Sequence, residues 1–254
     1  MSAPVIETRG LSKSFGAHKV LDGVHLGVAR GESLVVIGGS GTGKSVLLRT
    51  ILGLESADAG EVLLDGEAAS PAVRARFMRD FGMLFQNAAL FDSLPVWRNV
   101  AFRLLRVMPA RQARARAVER LARVGLGPEV ADRMPADLSG GMRKRVGLAR
   151  AIAADPRVIF FDEPTTGLDP QRAAAINLLI RGIVTEAGAT AITITHDMTS
   201  VRTIADRVAL LDQGRVRWQG SVAQMDEAFD PMLRAFMRGE PLDWGPLAGQ
   251  GRQG

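Results

Sequence analysis

Eight consecutive residues, Gly38-Gly39-Ser40-Gly41-Thr42-Gly43-Lys44-Ser45, fit the pattern G-x-x-x-x-G-K-[ST]. Glycines at this density let successive backbone N–H groups curl around phosphate oxygens. A helix beginning at Lys44 adds its positive end to the same spot. Lys44 can reach the β- and γ-phosphates of a nucleotide, and the Ser45 hydroxyl can bind Mg2+. A second group lies at Val158–Phe161, an apolar run that ends in Asp162-Glu163. A buried strand ending in a carboxylate puts Asp162 where it can hold Mg2+ through water. Glu163 is then suited to orient or deprotonate an attacking water. Taken alone, an acidic pair after a core strand is equally a surface feature. A third group, Leu138-Ser139-Gly140-Gly141-Met142, precedes a strongly basic helix. It is a second helix N-terminus able to bind anions, although in isolation a loop with a helix cap explains it as well.

These groups need elements to position them. Ser33–Ile37 (SLVVI) is a continuous apolar run of the kind found in a buried strand. Lys44–Leu54 follows with Val46, Leu47, Ile51 and Leu54 at helical spacing. Strand, glycine-rich turn and helix make one α/β unit. Val5–Arg9 and Val24–Val28 alternate as half-buried strands do. From about Asn87 to Ala136 the chain becomes rich in Arg, Ala and Leu, and Ala110–Val124 has helical spacing, so a helical insertion is expected. The α/β pattern then resumes, with helices expected over Arg143–Ala154 and Gln171–Ala187 and a strand over Thr190–Thr195. Arg207–Leu211 and Arg215–Gln219 flank Asp212-Gln213-Gly214, a hairpin signal. A short helix from Ser221 and a Gly/Pro-rich end close the chain.

Composition narrows the function classes. A chain of 254 residues with 46% hydrophobic and 23% charged residues is ordinary for a globular protein. No apolar run approaches the roughly 18 residues that cross a bilayer. The first ten residues show no secretory signal. With no cysteine, disulfides, thiolate metal sites and Cys nucleophiles are excluded. Three histidines without clustering give no metal site, and His18 and His25 are read as structural. The net charge of +5 is uneven: Arg98 to Arg150 carries 13 Lys/Arg and 4 Asp/Glu, a local +9 that leaves −4 elsewhere. Such a segment could serve nucleic acid, anionic lipid or an acidic protein, or be a solvated helix face.

LSGG placed between a helical insertion and an Asp-Glu strand resembles the signature of the nucleotide-binding domain of ABC transporters. The resemblance runs to about Gly220. It implies a P-loop NTPase of the ABC-ATPase fold: an α/β, RecA-like core with an antiparallel β subdomain and a helical subdomain inserted at about 87–150. Residues 1–220 would form that one domain, and 221–254 a C-terminal helix and tail able to contact a dimer partner. It further implies roles. Phe15 would stack on adenine, although it could equally be a core aromatic. Gly38, Ser40, Gly41, Thr42, Gly43, Lys44 and Ser45 would hold the phosphates. Gln86 would be the glutamine that joins the nucleotide and its Mg2+ to the helical insertion. Ser45, Gln86 and Asp162 would serve Mg2+, Glu163 would be the base and His196 would contact the γ-phosphate. Ser139, Gly140 and Gly141 would meet the ATP of a second copy, and Asp169 would communicate across that dimer. Met142 departs from the family, which commonly has Gln there.

Within the family, Leu84–Val100, Leu138–Arg145 and Ala235–Pro246 are most similar to the ATPases of Mla/Mce-type phospholipid transport. That resemblance implies a homodimer at the cytoplasmic face of the inner membrane of a Gram-negative cell. Its partners would be an MlaE-like permease, an MlaB-like STAS-domain protein and an MlaD-like Mce-domain protein. The basic insertion would face the permease and membrane, and no nucleic acid is expected. Met225, Phe229, Leu233, Phe236 and Met237 could form the apolar face of one tail helix. An ATPase of a solute importer is the main rival. A non-transport ABC ATPase and a small-molecule kinase stand further off, since such ATPases often carry two cassettes and a kinase needs neither LSGG nor His196.

Overall fold

The computed structural model describes residues 3–240. The described residues form nine α-helices and ten strands, the strands lying in two sheets. The antiparallel sheet, ordered β2-β1-β4-β5, uses β1 (Ile6–Phe15), β2 (His18–Val28), β4 (Ala59–Leu64) and β5 (Glu67–Ala68). The six-stranded sheet runs β10-β9-β3-β8-β7-β6. Its members are β3 (Ser33–Ile37), β6 (Phe81–Leu84), β7 (Val158–Asp162), β8 (Thr190–Ile194), β9 (Arg207–Asp212) and β10 (Arg215–Ser221). All pairs in it are parallel except the β9–β10 hairpin at one edge.

The central strands are buried on both faces, which explains why SLVVI and TAITI read as unbroken apolar runs. Their side chains alternate between two cores. Leu34, Val36, Phe160 and Leu211 point into one, shared with Leu47, Leu48 and Ile51 of α1 (Lys44–Leu52) and with Ile6, Leu21 and Val62 of the antiparallel sheet. Val35, Ile37, Phe161 and Leu210 point into the other. The helices α3 (Val96–Val100), α4 (Ala110–Arg123), α5 (Gly140–Ala151) and α6 (Pro170–Ala187) cover that face. The parallel sheet is therefore a wall between two cores, and the phosphate loop leaves its central strand.

Several boundaries differ from the sequence reading. Strands β1 and β2 are longer than the alternating stretches suggested, because β1 bends through register shifts that break the period. Helix α1 stops at Leu52, where Gly53 adopts a left-handed conformation and caps it, rather than at Leu54. Strands β4, β5 and β6, the helix α2 (Pro71–Phe77) and the helix α7 (Met198–Ile204) had no assignment in the sequence. The tail is two helices, not one: α8 (Val222–Glu227) and α9 (Pro231–Arg238). Met225 and Leu233 are buried against the domain's own core, and Phe236 and Met237 pack beside them. Phe229 lies between the helices and is 86% exposed, so it is not part of that face. The distal tail, from Pro241 onward, lies outside the described residues. Among those described, no helix is long and apolar enough to cross a membrane.

The basic insertion is also corrected. Arg103 donates to the carbonyls of Phe81, Met78 and Arg79, and Arg150 to those of Ala88 and Ala89. Arg143 and Arg145 likewise hold Leu138 and Val124 carbonyls. Arg114 pairs with Asp132, Arg116 and Arg120 with Asp155, and Arg123 with Glu186. Much of the local positive charge has partners within the chain, some of it stitching irregular backbone to helices and the rest in surface ion pairs. What faces outward is mixed: Arg98 and Arg106 lie over the rings of Trp97 and Phe102, beside exposed Phe91, Leu105 and Val107.

Candidate nucleotide site

The loop between β3 and α1 is shaped by its glycines. Gly43 has φ +101, and a Cβ there would sit 2.7 Å from the Val20 carbonyl oxygen. A side chain at Gly38 would run into the Leu211 carbonyl. No acidic residue and no side-chain cap occupy the first turn of α1, so its N–H groups remain available to an anion. Lys44 is 9% exposed and donates to the carbonyls of Gly38 and Gly39, both at 2.7 Å. Burial lowers its pKa, while the charges of Glu163 and Asp162 act the other way. Thr42 Oγ1 donates to the Gly39 carbonyl at 2.9 Å and fixes the loop's curl. Ser40, Gly41 and Ser45 are exposed.

β7 lies two strands from β3 and delivers Asp162 and Glu163 at the same carboxyl edge of the sheet. Burial pushes the Asp162 carboxyl up, and neighbouring Glu163 adds to this against the pull of Arg49, Lys144 and Lys44. Glu163 has φ +47, a left-handed conformation costly for a non-glycine residue. Its N–H donates to the Ile194 carbonyl at 2.9 Å. Thr166 Oγ1 donates to Glu163 Oε2 at 2.9 Å. His196 Nδ1 lies 3.0 Å from Oε1 and 2.9 Å from Oε2. A carboxylate only accepts, so Nδ1 carries the proton and Nε2 is left to face outward. His196 follows β8 and its side chain is 61% exposed, against 14% for Glu163.

The structure thus brings Lys44, Asp162, Glu163 and His196 to one edge, with Gln86 close by. The Gln86 side chain is exposed, and its backbone carbonyl accepts from buried Lys144, which also donates to the Glu163 carbonyl at 3.2 Å. Phe15 ends β1 on the antiparallel sheet and is 47% exposed, which removes the core-aromatic reading. The Lys13 ammonium sits 5.3 Å from its ring centroid and pairs with Asp58 at 3.2 Å. Ser139 caps α5 by accepting from Met142 N–H at 3.3 Å. Ser139 and Gly141 line a different groove, with Leu126, Met142, Arg145 and Arg172. Asp169 caps α6, accepting from Arg172 N–H at 3.0 Å. His25 Nδ1 accepts from Gly10 N–H at 3.4 Å, while His18 is exposed.

Sequence reasoning missed Thr166 and Lys144. Thr166 stands three residues after Glu163, a spacing that signals contact only once the turn is known. Lys144 looked like one more charge on a basic helix. A cleft of about 400 Å³ at the opposite edge, lined by Arg30, Arg123 and Arg157, has those arginines paired with Asp65, Glu186 and Asp80.

A parallel sheet with this loop on its central strand, walled by a small antiparallel sheet and a helical insertion, defines a P-loop ATPase of the ABC class. The chain belongs to the ABC transporter family, whose pattern matches residues 21–166. It is 45% identical over 227 residues to the methionine import ATP-binding protein MetN of Caulobacter vibrioides, covering 87% of this chain and 68% of that one. It is 37% identical over 249 residues to the probable ribonucleotide transport ATP-binding protein mkl of Mycobacterium leprae, covering 95% and 70%. The sulfate/thiosulfate import ATP-binding protein CysA of Bordetella parapertussis is 44% identical over 239 residues, covering 91% and 66%. Among solved structures, the dimeric post-hydrolysis ATP-binding cassette MJ0796, bound to ADP and Pi, has a TM-score of 0.78 at 30% identity, covering 85% and 98%. The structure of cbiO1 from Clostridium perfringens, part of the ABC transporter complex cbiONQ, has a TM-score of 0.80 at 28% identity, covering 93% and 96%.

Proposed function

We propose that this chain is the ATP-hydrolysing motor of a membrane transporter, working as a pair of copies. The observation that carries this is the Glu163 carboxylate, held by His196 and Thr166 at the edge from which the Lys44 loop rises. Glu163 takes the proton of the attacking water. His196 Nδ1–H orients that carboxylate and leaves Nε2 toward the γ-phosphate. Lys44 exchanges its two loop carbonyls for phosphate oxygens, which compensate its buried charge better. Phe15 offers a face to adenine. Ser45, Asp162 and Gln86 offer oxygen ligands, the set that suits Mg2+. Bound there, Mg2+ neutralises charge on the phosphate oxygens. Ser139 and Gly141, with Gly140 between them in sequence, line a separate groove of the same chain, which supports the three serving the nucleotide of a second copy. Asp169 then stands at that junction.

The outward surface around Phe91, Phe102, Leu105 and Val107 fits a permease, and the resemblance of Leu84–Val100 and Leu138–Arg145 to Mla/Mce-type ATPases supports phospholipid as cargo. The corresponding partners are the MlaE-like, MlaB-like and MlaD-like proteins at the inner membrane. A second reading, import of a small solute, is favoured by the similarity to methionine and sulfate import proteins. Co-purification of the chain with its permease, followed by mass spectrometry of bound small molecules, separates them. Stoichiometric phospholipid supports the first reading. A lipid-free complex whose ATPase responds to an amino acid or sulfate contradicts it.

A further inference from the structure

Lys144 is a charge without an evident reason to be buried. It lies on α5, five residues beyond Ser139, and is 6% exposed. Burying an ammonium is expensive unless acceptors surround it. Its acceptors are two backbone carbonyls, those of Gln86 and Glu163. These residues follow the ends of β6 and β7, neighbouring parallel strands in which Leu84 pairs with Phe161. One cation therefore hooks together the two points where the chain leaves the sheet.

The rest of α5 reinforces this grip. Gly147 lets the helix approach closely, since a Cβ there would lie 2.8 Å from Leu84 Cδ1 and 3.0 Å from Ala88 Cβ. Arg150 holds the carbonyls of Ala88 and Ala89, both left-handed at φ +59 and +45. Lys144, Gly147 and Arg150 are three residues apart and share one helix face. The Glu163 backbone, also left-handed, has three polar tethers: its N–H donates to the Ile194 carbonyl, and its carbonyl accepts from Thr166 N–H at 3.3 Å and from Lys144 at 3.2 Å.

We propose that Lys144 is a positioning residue that ties the Gln86 loop to the backbone of Glu163, so that displacement of the helical insertion moves the base. The proposal rests on Glu163 being that base.

The test compares Lys144→Met, which keeps the stem and loses charge and donors, with Lys144→Arg, which restores both. Purified full-length chains are assayed for ATP hydrolysis, with Glu163→Gln alongside. The proposal expects Lys144→Met to lose about tenfold or more in kcat with KM for ATP within about twofold, and recovery in Lys144→Arg. Wild-type kcat in Lys144→Met overturns it. So does a parallel loss of kcat and thermal stability that Arg does not rescue. If Lys144→Met does not fold, Lys144→Gln replaces it, and failure of both to fold assigns the residue to the core alone and refutes the proposal. A Glu163→Gln chain as active as wild type instead refutes the base assignment, whatever Lys144 does.

Discussion

Glu163 concentrates the chemistry of the molecule in one strained residue. Its left-handed backbone, its two side-chain partners and its carbonyl tether all act on one carboxylate. Glu163→Gln keeps the shape and removes the proposed base, so the rate of hydrolysis should fall by about 10²-fold or more while ATP still binds. Steady-state assays with a nucleotide-binding titration check both halves. Asp162 gives a prediction of opposite sign for stability. Its folded pKa is raised above the unfolded value, so its ionisation disfavours the fold, and that cost is complete once pH exceeds the folded pKa. Asp162→Asn should therefore raise Tm at pH 7.5, and this advantage should vanish below the unfolded pKa. Thermal scans of nucleotide-free protein at both pH values read it directly. The types of these residues were legible in the sequence, because a loop pattern and an acidic strand end are local. The His196–Glu163 bond and the Thr166 hydroxyl were not, because they depend on a turn that no spacing encodes.

At the scale of elements, caps and close approaches set the site. Asp169 begins α6 through its side-chain bond to Arg172 N–H. Asp169→Ala should cost about 1 kcal/mol of unfolding free energy, and Asp169→Asn much less, since Asn also caps. Chemical denaturation measures the difference, and any loss of ATPase in Asp169→Asn beyond this belongs to its role between copies. The strands β3, β7 and β8 were readable because strands buried on both faces are unbroken apolar runs. By contrast β4 to β6 were not, since they are short, partly exposed and interrupted by glycines. The basic insertion misled for a related reason. Charge count sees arginines but not the helix ends and carbonyls that absorb them.

Across the whole molecule, one wall of parallel strands separates two cores and carries the site on its edge. Phe161 is fully buried in that wall, and Phe161→Ala should cost about 3–5 kcal/mol, enough to threaten folding of the chain. The groove with Ser139 and Gly141 is separate from the Lys44 loop on the same chain, so the proposed function calls for two copies to enclose ATP. The most direct measurement is the mass in solution of Glu163→Gln with MgATP, by light scattering, together with its rate of hydrolysis. The account predicts a stable dimer of the 27.2 kDa chain that retains ATP unhydrolysed and returns to monomer with ADP. A monomer under saturating ATP, turning over at the wild-type rate, would contradict it.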